Sequence, residues 1–125
     1  MPILEEELAA LAAALVAIDS VNPDLVPGGA GEAKIAQFVA AWLRAAGMEV
    51  DLIDDPPGRP SVVGIARGSG GGRSLVLNAH LDTVGTAGME APFLPRQEAG
   101  RLCGRGSCDT KGGLAAPLKA RATGW

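Results

Sequence analysis

Two stretches near the start of the chain repeat their apolar residues every three to four positions. In the first, Leu4, Leu8, Leu11, Leu15 and Ile18 fall on one stripe, the spacing of an amphipathic helix. This predicts a helix over residues 3–18. Glu5, Glu6 and Glu7 stand in its first turn, where the helix dipole favours negative charge. Asn22-Pro23 closes it, because Pro disfavours a helical residue before it. After a loop over 24–31, a second helix is predicted to about residue 46, with Ile35, Phe38, Val39, Trp42, Leu43 and Ala46 along one face. Gly47 follows as its C-terminal cap.

From Met48 the pattern changes. Met48 to Ile53 alternates apolar and acidic residues, as a half-exposed strand does. Ser61 to Ala66 and Ser74 to Ala79 are more uniformly apolar, which predicts two buried strands. Pro56-Pro57-Gly58 separates the first pair, and Gly68 to Gly72 suits a tight hairpin between the second and third. A further hairpin is expected over 93–104, turning at Glu98-Ala99-Gly100, and a helix from about Gly113. Helix, helix, three strands, loop and helix together predict a layered α/β domain. Pro117 falls near the first turn of the last helix, where it is tolerated. That helix is expected to end within about two turns, by Thr123-Gly124-Trp125. An apolar sheet edge is then left uncovered, which favours aggregation.

Composition narrows the picture. A chain of 125 residues suits one domain. With 47% hydrophobic residues, 3% aromatics and no Tyr, the core must be built from Ala, Leu, Val and Ile. A net charge of −3 and a pI near 5.0, without a basic patch, argue against a nucleic-acid partner. The acidic start, Met-Pro-Ile-Leu-Glu-Glu-Glu, is unlike a secretory signal. The longest nearly uncharged apolar run, Leu8 to Ile18, falls short of the roughly 20 residues that span a bilayer. The expectation is a cytoplasmic protein with no membrane partner. Cys103 and Cys108 form neither a disulfide framework nor a standard zinc pair and are read as free thiols.

The candidate chemistry lies in two segments. Leu75-Val-Leu-Asn-Ala-His80-Leu-Asp82-Thr-Val84 is an apolar strand pattern that delivers His80 and Asp82 at its C-terminal end, where open α/β sheets bind ligands. Residues two apart on an extended chain point the same way. A neutral imidazole is a good zinc ligand, and a nearby carboxylate can orient it; a strand-end His satisfied by a hydrogen bond is the alternative. The second segment is Gly104-Arg-Gly106-Ser-Cys-Asp109-Thr-Lys111-Gly112-Gly113. It is not a phosphate loop, because Thr110 stands where Gly should precede the Lys. Nor is it a dinucleotide fingerprint, because Asp109 takes the place of the third Gly. What remains is a carboxylate held among glycines before a helix, either a ligand or a turn former.

Taken together, His80-Leu-Asp82-Thr-Val84 and Gly104-Arg-Gly106 through Asp109 to Lys111-Gly-Gly113 resemble the paired metal-site motifs of the M20 metallopeptidases, which include acetylornithine deacetylase and succinyl-diaminopimelate desuccinylase. Ser20-Val-Asn-Pro23, the helix ending at Gly47 and Gly100-Arg-Leu102 extend the likeness to about Ala116. The resemblance implies that residues 1–125 are the N-terminal portion of a layered α/β zinc-peptidase catalytic domain, lacking the lid and dimerisation domain, with 117–125 an atypical tail. It implies a hydrolase that cleaves the amide bond of an N-acyl amino acid or peptide through a metal-activated water. His80 would ligate one zinc ion. Asp109 would bridge both, through a cis peptide to Thr110. Asp82 would belong to the catalytic set without binding metal, beside a catalytic glutamate. Cobalt is an alternative to the two zinc ions, the substrate is a small molecule, and the full-length protein is expected to be a homodimer.

This chain departs from that pattern. The family needs a downstream Glu-Glu pair, a further carboxylate and a distal His, yet no Glu follows Glu98 and His80 is the sole His. Cys103 stands where an aromatic is expected, and Pro117 to Trp125 do not continue the family's helix. A frameshift, premature stop or fragment boundary near residue 117 is expected. The alternatives to an acylase are an inactive remnant that binds metal weakly and a dipeptidase or carboxypeptidase of the same family.

Overall fold

The computed structural model describes residues 2–122. Helix α1 runs over Glu5–Val16 and α2 over Ala33–Ala45. Strand β1 is Glu49–Ile53, β2 Ser61–Ile65, β3 Arg96–Glu98 and β4 Arg101–Cys103. A π-helical turn over Ser107–Lys111 leads into α3, Gly112–Ala122.

The helices follow their apolar stripes. Leu11 and Leu15 of α1, Ile35, Val39 and Leu43 of α2, and Leu114 and Leu118 of α3 meet in one core, filled between by Ala12 and Ala115. Ala and Leu therefore dominate it, as the scarcity of aromatics requires. Phe38 and Trp42 lie at its margin, stacked on each other with ring centroids 6.4 Å apart. α1 starts later than its stripe suggests, and Leu4, at its N-terminal boundary, is exposed.

Strands β1 and β2 pair antiparallel, with Asp51 opposite Val63. Their inward residues, Val50 and Val62, pack against the helical core. Gly64 lies close against α2: a Cβ there would stand 2.8 Å from Leu43 Cδ1. With helices on one face only, Val63 and Ile65 of β2 stay exposed. The expectation of a wholly buried second strand is corrected accordingly. The hairpin over 93–104 forms as β3 and β4. Ala99 and Gly100 at its tip both have positive φ, 50° and 74°, as a two-residue hairpin turn that follows the strand twist requires.

The third predicted strand does not form. Among the described residues, 74–79 pair with no strand, and Leu75, Val76 and Leu77 are 67%, 83% and 54% exposed. The hairpin expected across Gly68 to Gly72 is likewise absent. A strand exists through its ladder and its covered faces. Among the described residues, a single parallel bridge between Val21 and Thr83 is the ladder contact this stretch receives, just beyond its end. The α/β arrangement thus consists of a helical layer and two antiparallel ribbons. Exposed apolar residues beside unpaired backbone promote association. Val76→Lys is expected to lower self-association of the chain, read as a smaller weight-average mass in sedimentation at equal concentration.

The last helix differs from expectation too. Pro117 lies in the second turn of α3 and not its first, and having no N–H it cannot bond the Gly113 carbonyl. The helix continues regardless, because Leu118 is buried in the core and Lys119 pairs with Glu7 at 2.7 Å. The expected termination at Thr123-Gly124-Trp125 lies outside the described residues.

Candidate active site

The two motif segments converge. His80 Nε2 lies 2.8 Å from Asp109 Oδ1, although the residues are 29 positions apart. On the other side of the ring, Nδ1 lies 2.9 Å from the Asp82 carbonyl oxygen and 3.2 Å from Asp82 Oδ1. His80 therefore lies beside Asp82, although the strand on which their spacing was to align them is a loop. The Asp109 side chain is 78% exposed and that of His80 47% exposed, so their junction opens to solvent.

Each flank of the ring has its own electrostatics. The Asp109 carboxylate holds the His80 pKa above the usual imidazole range. Partial burial opposes this, and the Asp82 carbonyl and both carboxylate charges add to it. Both ring nitrogens face acceptors, so the protonated ring donates from Nδ1 to the Asp82 carbonyl and from Nε2 to Asp109. Loss of the Nε2 proton, with Nδ1–H kept on Asp82, would turn the Nε2 lone pair toward Asp109. Carboxylate and carbonyl partners fix the tautomer of metal-binding histidines in the same way.

Backbone geometry explains how Asp109 reaches the ring. Gly106 has a φ of 85° and opens the π-helical turn, within which Asp109 (φ −121°, ψ 88°) and Thr110 (φ −142°, ψ 22°) leave helical geometry. The Asp109–Thr110 peptide is cis, as the family likeness implied. The turn is anchored underneath by Lys111, 1% exposed, whose Nζ donates to the Ile18 carbonyl at 2.6 Å. Burial pulls the Lys111 pKa down to about 8, against the opposing charge of Asp19.

The His80 segment is held by the loop after α1. Thr83 N–H donates to the Ser20 carbonyl and Asn22 N–H to the Thr83 carbonyl, both at 2.9 Å. The fully buried Ser20 hydroxyl donates to the Leu81 carbonyl at 2.8 Å. Asn22 Nδ2 donates to Asp82 Oδ2 at 2.9 Å. Sequence reasoning gave Ser20, Asn22 and Lys111 no role. The run Ser20-Val-Asn-Pro23 was a signal for the first two, but a buried Lys has none, since lysines are almost always exposed.

An imidazole nitrogen facing a carboxylate oxygen is a donor set of the kind zinc takes. It fits such an ion in type and falls short in number. Among the described residues no group of three or more His, Cys, Asp or Glu side chains is gathered to hold a metal, because Asp82 faces Nδ1 and not the Nε2 side. Cys103 and Cys108 are free thiols.

Comparison with known proteins agrees with the motif reading. The model of "Peptidase family M20/M25/M40" matches residues 76–123, which contain both motifs. The chain is 37% identical over 125 aligned residues to N-formyl-4-amino-5-aminomethyl-2-methylpyrimidine deformylase of Halalkalibacterium halodurans, covering 95% of this chain and 28% of the relative. It is 35% identical over 122 residues to the enzyme of the same name from Bacillus subtilis, covering 93% of this chain and 28% of the relative. It is 38% identical over 113 residues to succinyl-diaminopimelate desuccinylase of Leptothrix cholodnii, covering 85% of this chain and 28% of the relative. The chain thus spans little more than a quarter of the length of these curated relatives. The motifs, their convergence in space and the likeness along nearly all of its length agree in relating the chain to peptidase family M20/M25/M40, whose model residues 76–123 match.

Proposed function

We propose that this chain is the N-terminal part of the catalytic domain of a metal-dependent amide hydrolase that removes a small acyl group from nitrogen. The observation that carries the reading is the approach of His80 Nε2 to Asp109 Oδ1 at 2.8 Å. The relatives include a deformylase and a desuccinylase, which supports a small N-acyl substrate; a peptide is the closest alternative. His80 and Asp109 would hold zinc, or cobalt in its place, together with donors from outside this chain. Such an ion, when bound, supplies a Lewis acid for the amide carbonyl and lowers the pKa of water. The chain's own part is orientation. Asp82 keeps the proton of His80 on Nδ1, which leaves Nε2 to donate its lone pair, and the π-helical turn presents the Asp109 carboxylate to the same point.

A second reading, a remnant that binds metal weakly and catalyses nothing, is favoured by the count of donors: one His and no Glu after Glu98. The two readings separate when the native gene product is captured from its source cells with an antibody to residues 1–116. Its mass is measured, and it is assayed for release of formate and succinate from N-formyl and N-succinyl amines. The hydrolase reading expects a product much larger than 12.6 kDa whose release of acid stops with chelator and returns with zinc or cobalt. A product of that small mass without activity supports the remnant.

A further inference from the structure

Asn22 lies in neither motif segment, yet both ends of its side-chain amide are engaged beside them. Its Oδ1 accepts the Asp24 N–H at 2.8 Å, and its Nδ2 donates to Asp82 Oδ2 at 2.9 Å. These bonds fix which way the amide faces, since a flip would set two oxygens against each other and aim the NH2 group at an N–H. The main chain holds it in register as well: the bonds between Ser20, Asn22 and Thr83 run residues 20–22 alongside 81–83. Asp82 therefore receives a donor on Oδ2 while its Oδ1 stands 3.2 Å from His80 Nδ1.

A carboxylate next to a half-exposed loop can turn about its side-chain bonds, and only one orientation supports the imidazole. A hydrogen bond to an ionised acceptor is about twice as strong as a neutral one, enough to select among rotamers. We propose that Asn22 is a positioning residue: it locks the Asp82 carboxylate so that Asp82 holds the His80 ring with Nε2 toward Asp109. The consequence for metal binding rests on the proposed function above; the orientation itself does not.

The test uses the whole chain and two variants, Asn22→Ser and Asn22→Ala. Serine is too short to span to Asp82, but its hydroxyl can still accept a turn N–H, so Asn22→Ser separates the turn from the donor. Three-bond couplings to Asp82 Cγ by NMR report its side-chain rotamer. A single rotamer is expected in the native chain and averaged couplings in both variants, with the melting temperature of Asn22→Ser near native. Zinc titration followed on the His80 ring signals is expected to show half-saturation raised about tenfold in both, the usual cost of losing a partner of a metal ligand. Asp82 couplings unchanged in both variants overturn the proposal. If zinc leaves the native His80 signals unmoved, the metal reading fails, and the couplings alone decide the role of Asn22.

Discussion

The purified 125-residue chain is expected to release neither formate from N-formyl amines nor succinate from N-succinyl amines, at any zinc concentration. Zinc sites take about four ligands, and the structure gathers two donors, His80 Nε2 and Asp109 Oδ1. The family likeness places the general base in a Glu beyond the second motif, and this chain has no Glu after Glu98; without such a base a rate falls by about 10²–10⁴-fold. The measurement is an enzymatic assay for the released acid, with and without zinc. Turnover that depends on zinc and disappears with a chelator would show that two donors suffice, and the account of shared ligands would be wrong.

The largest effect on stability is expected from Gly106→Ala. Gly106 opens the turn that carries Asp109, at a φ of 85°, and a side chain in that region costs about 1–2 kcal/mol. Its Cβ would also stand 2.7 Å from Thr83 Cγ2 and 3.1 Å from Lys111 Cδ. Thr83 and Lys111 are both buried, so neither can move away freely, and such overpacking costs about 1–3 kcal/mol. The sum, about 2–5 kcal/mol, is a large part of the stability of a small domain. Denaturant unfolding followed by Trp fluorescence measures it. A midpoint unchanged by Gly106→Ala would mean that the turn does not pack against the His80 segment as described.

Much of this was legible in the chain itself. The helices followed from apolar stripes whose residues meet in one core, and the β3–β4 hairpin from a turn at Ala99-Gly100. That His80 would lie beside Asp82 followed from their spacing; the glycine-rich setting of Asp109 left it a ligand or a turn former, and only the family likeness brought it to His80. Residues 74–79 misled because uniform apolarity signals a buried strand only when other strands and layers cover it, and none among the described residues does so. Pro117 was read as tolerated, and the burial of Leu118 accounts for the helix continuing past it. What Lys111 and Asn22 bond to was invisible for a different reason, although the run Ser20-Val-Asn-Pro23 marked the position of Asn22. Their work depends on Ile18 and Asp82, partners 93 and 60 positions away, and no local pattern records such distances.

The central claim is that His80 and Asp109 form one half of a metal site. His80 is the sole His in the sequence, so its two ring-carbon proton signals are unambiguous in an NMR spectrum. Zinc titration of the chain at neutral pH, beside an Asp109→Ala variant, is the most direct test. The account predicts that zinc shifts the His80 signals weakly but saturably in the native chain, and much less in Asp109→Ala. Signals unmoved by zinc in the native chain, or moved equally in Asp109→Ala, would contradict it.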